Sequence, residues 1–365
     1  MEPVGIGIIG CGNISAAYLE ASRFFPILDV RAVADIDPAA AERRSAEFGV
    51  PAVAIEALLA DPAIAIVVNL TVPRVHVEVG LRAIAAGKHV HSEKPLGIAV
   101  AEGRKLVDAA KASGRRLGCA PDTFLGGAHQ TCRKLVDQGA IGQPLAGTAF
   151  FLRPGHERWH PNPAFYYLPG GGPMLDMGPY YITALVNLLG PVHRVAGITS
   201  RARRERLVTS EPLAGTRIPV EVATHVAGTL EFVSGPVVTI AMSFDVARHR
   251  HRPIELYGAD GALTVPDPNH FGGTIELATA EEDWHEVSIE HGYADYNYRI
   301  IGVADMAQAI RRNRAHRANG DLALHVLEVM EAFQRSSDSS QHIAIESVPP
   351  RPAALPVGLK RGELD

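Results

Sequence analysis

A chain of 365 residues is long enough for about two domains, each with its own core, which excludes a peptide or a disulfide-stapled miniprotein. At 47% hydrophobic and 21% charged, the composition belongs to a folded globular protein rather than a disordered one. The 35 Lys and Arg against 40 Asp and Glu leave a net charge of −5, so no global field attracts a phosphate backbone and no nucleic-acid partner is expected.

Cys11, Cys119 and Cys132 are an odd, scattered set with no metal spacing. They suit a reducing compartment, and a cytoplasmic location is expected. The apolar run after Met1 has no basic region ahead of it, which argues against a signal peptide. No apolar stretch reaches the roughly 18–20 residues of a membrane span.

From Val4 to about Ala120, short β-branched runs alternate with amphipathic stretches, the pattern of βαβ units around a parallel sheet. Strands are expected at Val4–Ile9, Val30–Ala34, Ile64–Leu70, His89–His91 and near Leu117. The intervening helices carry end signals. Asp37 is an N-cap ahead of Pro38, Gly49 closes that helix, and a helix from Arg74 to Ala86 stops at Gly87; another runs from Ile98 to Ser113. After Asp122 the rhythm changes. A helix over Ala128–Gln138 leads to an extended run over Leu145–Leu152, an aromatic, Pro-rich loop over Pro154–Pro169, and a helix over Pro173–Leu189. Long alternating stretches, among them Glu221–Phe232 and Val237–Val246, predict an antiparallel sheet. Helices over Arg299–Arg312 and Asp321–Arg335 precede a Pro-rich tail. The expected division is a Rossmann domain (1–121), an α+β domain with a large, mainly antiparallel open sheet (122–346) and a tail (347–365).

Gly10-Cys11-Gly12-Asn13-Ile14-Ser15 follows the first strand and opens a helix, the context in which G-x-G-x-x-G/A binds a dinucleotide. Gly10 permits the turn, Gly12 admits a pyrophosphate to backbone amides, and Asn13 and Ile14 begin the helix whose N-terminus faces the anion. Asp35, at the end of the second strand, would accept hydrogen bonds from ribose hydroxyls and repel a 2′-phosphate, which favours NAD over NADP. Thr71, Pro73 and His76 lie at the carboxyl end of the third strand, where open α/β sheets bind ligands, and His76 also reads as a helix-surface residue. Glu93-Lys94-Pro95 follows the fourth strand at the same edge. Burial beside an oxidised nicotinamide would depress the ammonium pKa of Lys94.

In Gly170-Gly171-Gly172-Pro173-Met174-Leu175-Asp176-Met177-Gly178-Pro179-Tyr180, Asp176 and Tyr180 are one helical turn apart, and Thr183 and Asn187 continue the stripe. Periodicity alone reads this equally as a solvent face. Trp159, His160 and Tyr166 in the preceding loop offer apolar faces beside hydrogen-bonding groups, which suits a sugar or cyclitol, though packing is an equal reading. His156 and His160 have metal-pair spacing, but Pro161 and Pro163 break the helix such a pair needs, and no metal is expected.

The fingerprint, the Gly87–Pro95 run, Gly139-Ala140-Ile141-Gly142 and the glycine stretch leading into Asp176 together resemble the glucose-fructose oxidoreductase, inositol dehydrogenase and rhizopine-catabolism (Gfo/Idh/MocA) family over almost the whole chain. The resemblance implies an NAD-dependent dehydrogenase acting on a secondary hydroxyl of a sugar, sugar derivative or cyclitol. Lys94 would orient the substrate and share in proton transfer, with Asp176 and the residue one turn later lining it. Many sugar and cyclitol members have His at that later position, where this chain has Tyr180. A phenol ordinarily holds its proton to about pH 10, so Tyr180 as general base needs a neighbouring cation, and Lys94 is the expected one. The resemblance also places Asp122 and Thr123 near cofactor and substrate, although Pro121 equally suits a domain-crossing turn. It returns the Tyr296–Arg299 segment to the cleft, where Asn297 also reads as a helix cap. A homodimer or homotetramer through the open sheet is implied. Two other readings are an NAD-retaining glycosidase that works by transient oxidation and a non-catalytic dinucleotide sensor.

Overall fold

The computed structural model describes residues 2–365. Its first half is a five-stranded parallel sheet of β1 (Val4–Ile9), β2 (Leu28–Ala34), β3 (Ile66–Asn69), β4 (His89–Ser92) and β5 (Leu117–Cys119), in the order β2-β1-β3-β4-β5. These strands are almost continuously buried because helices cover both faces. The helices are α1 (Asn13–Ser22), α2 (Pro38–Phe48), α3 (Ile55–Ala60), α4 (His76–Ala85) and α5 (Val100–Ala112). The end signals act as the sequence implies: Asp37 accepts the Ala39 N–H, and Gly49 closes α2 in the left-handed conformation. Because β1 pairs with β2 on one side and β3 on the other, the chain reverses direction across the sheet there. That opens a crevice at the carboxyl ends of the strands.

After α6 (Gly127–Asp137), β6 (Pro144–Leu152) enters a second, nine-stranded sheet. The buried helix α7 (Pro173–Leu189) follows, and then β7 (Val192–Ser200), β8 (Glu205–Leu207), β9 (Arg217–Pro219), β10 (His225–Phe232), β11 (Val237–Ser243), β12 (Ile254–Gly258), β13 (Gly261–Val265), β14 (Ile275–Thr279) and β15 (His285–Val287). Strand β16 (Ile343–Ala344) closes the order β15-β14-β13-β12-β6-β11-β10-β7-β16, with β8 and β9 as a separate ribbon. All pairings in the large sheet are antiparallel except β6 with β11.

One face of this sheet, including Val195, Leu230, Val238, Ile240 and Leu256, is buried, and α7 and α9 (Gly320–Ser339) pack on that side. On the other face, rows such as Ile198, Ala227 and Ala241 and Ala196, Thr229, Thr239 and Thr148 align across the strands. Ile198, at the β7 end of the first row, is 74% exposed.

The division into domains is less sequential than the sequence suggests, since α8 (Ile301–Arg312) and α9 run back against β5 and α5. The tail also packs. Leu355 donates to Gln130, Arg317 donates to the carbonyls of Ala353 and Ala354, and Arg317 pairs with Asp365 at 2.7 Å.

Candidate active site

The first half of the site is the glycine turn between β1 and α1. Gly10 has φ +104°, and a Cβ there would lie 2.5 Å from the Leu70 backbone, so only glycine fits. Gly12 is different. A Cβ on it would meet nothing within 4 Å, and no side chain caps α1. The turn therefore leaves an open approach to unpartnered helix amides, the arrangement a pyrophosphate requires.

Asp35 braces this turn by accepting the Cys11 N–H at 2.6 Å and the Asp37 N–H at 2.8 Å. A carboxylate has about four acceptor sites, so capacity for ribose hydroxyls remains. Ser15, in the third glycine position, donates to the Gly12 carbonyl at 2.6 Å and accepts from Arg44 Nε at 2.9 Å. Arg44 also reaches the Gly12 carbonyl at 3.1 Å. No sequence signal marks Arg44, because its approach depends on how α2 packs. Ile36, 93% exposed, and Val72, 58% exposed, follow β2 and β3 at the same edge and could hold a flat base.

The second half is a cavity of about 270 Å³ lined by Ile14, Thr71, Pro73, Glu93, Lys94, Tyr166, Asp176 and Tyr180, among others. Lys94 Nζ donates to Asp176 Oδ1 at 2.9 Å and to the Asp176 carbonyl at 2.8 Å. It also lies 5.2 Å from the centre of the Tyr180 ring. Burial acts to lower the Lys94 pKa, but the Asp176 carboxylate, with Tyr180 and Glu93, outweighs it and holds the group well above the usual lysine value. The structure thus replaces the expected depressed lysine with one kept charged by its partner. Glu93 is buried, accepting from the Tyr18 hydroxyl at 2.9 Å and the Lys94 N–H at 2.8 Å.

The stripe on α7 is not a solvent face, since Tyr180, Thr183 and Asn187 are all buried. Only its first turn serves the cavity. Further along, Asn187 accepts from Arg133 and Arg351.

Two residues from distant segments complete the cluster. His156, weighed in the sequence only as half of a metal pair, places Nε2 3.4 Å from Asp176 Oδ2 and stacks on Tyr166 with ring centres 3.8 Å apart. Burial lowers its pKa, against the pull of Asp176. Arg299 extends Nη2 to the Tyr180 hydroxyl at 3.5 Å. Lys94, the cation expected beside Tyr180, lies over its ring and also pairs with Asp176.

Other expected residues lie elsewhere. His76 is fully buried, with Nδ1 2.7 Å from the Pro95 carbonyl and Nε2 2.9 Å from that of Thr71. It ties two cavity-lining turns together from behind. Asp122 does not face the substrate cavity. It is 1% exposed and accepts the N–H groups of Ile300 (3.1 Å) and Gly302 (2.9 Å) at the start of α8. Burial pushes its pKa up to about 6. Trp159, 64% exposed, stands near His156 and His160, and His160 meets Tyr166 edge-on at 5.4 Å. Of the three aromatic candidates, Tyr166 is the one that lines the cavity.

A glycine turn at one end of a crevice and a lysine, carboxylate and phenol at the other are the arrangement of a Rossmann-type oxidoreductase, here joined to a separate nine-stranded sheet. Residues 4–120 match the oxidoreductase family with an NAD-binding Rossmann fold, and residues 129–264 match the Gfo/Idh/MocA C-terminal domain. The chain is 33% identical over 351 residues to dTDP-3,4-didehydro-2,6-dideoxy-alpha-D-glucose 3-reductase of Streptomyces violaceoruber, covering 91% of this chain and 95% of that one. It is 26% identical to levoglucosan dehydrogenase of Pseudarthrobacter phenanthrenivorans, over 72% and 73% of the two chains. An NAD-binding oxidoreductase from Klebsiella pneumoniae has the same fold, with a TM-score of 0.83 at 23% identity over 94% and 99% of the chains. The protein belongs to the Gfo/Idh/MocA oxidoreductase family, and its first half is an NAD-binding Rossmann domain.

Proposed function

We propose that the protein transfers hydride between a secondary hydroxyl or ketone of a sugar, sugar derivative or cyclitol and NAD. The convergence of Lys94, Asp176 and Tyr180 on one cavity at the carboxyl edge of the Rossmann sheet carries this reading. NAD, when bound, supplies the hydride acceptor or donor. Gly10, Gly12, Asn13, Ile14 and Asp35 would hold it, with Thr71, Pro73 and Glu93 along the crevice. Asp35 favours NAD over NADP, since Arg31 lies back inside β2 and is engaged with Asp29 at 3.0 Å.

Lys94 has three N–H donors, and Asp176 occupies two of them. The third is free to bond the reacting oxygen and stabilise negative charge developing on it. Tyr180 exchanges the hydroxyl proton as general acid or base. Asp176 keeps Lys94 charged and in place, and His156 braces the far side of that carboxylate. Tyr166, with Trp159 and His160 at the rim, meets the carbon face of the substrate. The two named relatives act on sugar derivatives, which supports the same substrate class here. The open face around Ile198 supports association with a second copy, and three buried free thiols suit the cytoplasm. No helix among the described residues is long and apolar enough to cross a membrane.

The test is reduced-nicotinamide absorbance with NAD and a panel of inositols, aldoses and anhydrosugars, and in reverse with keto-sugars and nucleotide-linked keto-sugars. Turnover of at least one polyol or keto-sugar is expected, falling 100-fold or more in Lys94→Ala. A Lys94→Ala variant as fast as wild type would overturn the assignment.

A further inference from the structure

We propose that Arg299 is the positioning residue for Tyr180, placing a second, permanent positive charge at its hydroxyl in addition to that of Lys94. The proposal rests on the reading of Tyr180 as the proton-exchanging group.

Two cations approach this phenol. Lys94 sits over the ring face, 5.2 Å from its centre, and its charge is offset by Asp176 at 2.9 Å. Arg299 approaches the oxygen itself, with Nη2 3.5 Å away and the guanidinium carbon 6.0 Å from the ring centre. Its other contacts are neutral acceptors: Asn269 Oδ1 at 2.6 Å, the Asn269 carbonyl at 3.4 Å and Asn297 Oδ1 at 3.1 Å. These fix the direction of the guanidinium without cancelling its charge. An arginine stays protonated at any working pH, so this charge is permanent. The other charged and titratable groups around the pair are Asp176 one turn earlier on α7 with His156 beside it, the Tyr166 hydroxyl from the facing loop, and Glu93, Tyr18 and Asp122, which act on Arg299.

The backbone is built to hold Arg299 there. The next residue, Ile300, has φ +105°, a conformation that a β-branched side chain rarely adopts. The buried Asp122 carboxylate accepts the Ile300 and Gly302 N–H groups and fixes that turn. Asp122 therefore reaches the active site indirectly, by anchoring the segment that carries Arg299. The polar anchors Asn269 and Asn297 come from two separate loops and meet only at this guanidinium.

The test needs no substrate. The chain has nine tyrosines. Phenolate absorbance followed against pH on the full chain, less the same titration of Tyr180→Phe, isolates the step that belongs to Tyr180. In Arg299→Gln that step should move up by about one pH unit or more, and Arg299→Lys should recover most of the difference. Thermal unfolding of each variant identifies any that has lost its fold, in which case Arg299→Lys against wild type, with the smaller upward shift, decides. A Tyr180 step in folded Arg299→Gln that superimposes on that of wild type would overturn the inference. The wider reading fails separately, if Tyr180→Phe turns over a substrate as fast as wild type.

Discussion

Replacing Asp176 by asparagine should reverse the sign of the dependence of stability on pH in the alkaline range. In the wild type, Lys94 has a folded-state pKa above its unfolded value. Its stabilising contribution is fully present below about pH 10.5 and is lost only as pH rises through the folded value. The substituted amide would be nearly isosteric and would keep the backbone carbonyl bond, but it removes the charge that opposes desolvation. The Lys94 pKa would then fall below its unfolded value. From that group alone, stability would rise with pH up to about 10.5. Breaking a fully buried pair costs about 3–5 kcal/mol. Here the side chains are 16% and 14% exposed and one hydrogen bond survives, so about 2–3 kcal/mol at neutral pH is expected. At about 2.1 cal/mol/K per residue of unfolding entropy, 1 kcal/mol over this chain is worth roughly 1.3 °C, which predicts a Tm lower by about 3–4 °C. Calorimetry of both proteins between neutral pH and pH 10.5 measures it. An unchanged Tm together with parallel pH profiles would refute the view that Asp176 holds the Lys94 charge.

The two fingerprint glycines should respond differently. Gly12→Ala should leave Tm unchanged, since its Cβ meets only open space, yet weaken NAD binding about 10-fold or more in a fluorescence titration. Gly10→Ala should cost more than about 1 kcal/mol of stability, because it combines positive φ with contact against the Leu70 backbone. Asp35→Ser should raise the affinity for NADP relative to NAD by about 10-fold, and an unchanged ratio would remove Asp35 from cofactor choice. Asp122 has a folded pKa of about 6 against an ordinary 3.8. The folded state therefore binds more protons between those values, and this group's contribution to stability falls as pH rises through them. Asp122→Asn should abolish that slope in unfolding curves recorded from pH 4 to 6.5. Ile198→Lys should shift the protein to a smaller species in light scattering if the open sheet face joins two copies.

What is legible in the sequence follows from local chemistry. The strand, glycine turn and helix at Val4–Ser22 are read from contiguous residues, as are Asp37, Gly49 and the termini of α7, because caps and tight turns are decided within a few positions. Asp176 and Tyr180 share a face by helical periodicity alone. Whether that face looks at solvent or at a cavity cannot be read from α7. It depends on what the loop over 153–169 and the strands on either side place against it.

His156 and Arg299 illustrate the same limit from the other side. Each lies in an irregular segment, and each acquires its role only where the large sheet and its loops bring it to α7. His156 lies 20 residues before Asp176, and Arg299 lies 119 after Tyr180. Asp122 is legible by position but not by task. It stands at the junction of the two halves, and one of its carboxylate oxygens accepts two backbone amides at the start of α8. The charges therefore divide differently from the expectation. Asp176 pairs with Lys94, and the cation that reaches the phenol oxygen, Arg299, is contributed by the last third of the chain. A substitution at Asp122 that leaves the cavity lining untouched should therefore still change proton transfer at Tyr180, by releasing the turn at Ile300. Asp122→Ala should move the Tyr180 step of the difference titration in the same direction as Arg299→Gln, and a variant that stays folded and titrates as wild type would break the chain of cause from Asp122 to the active site.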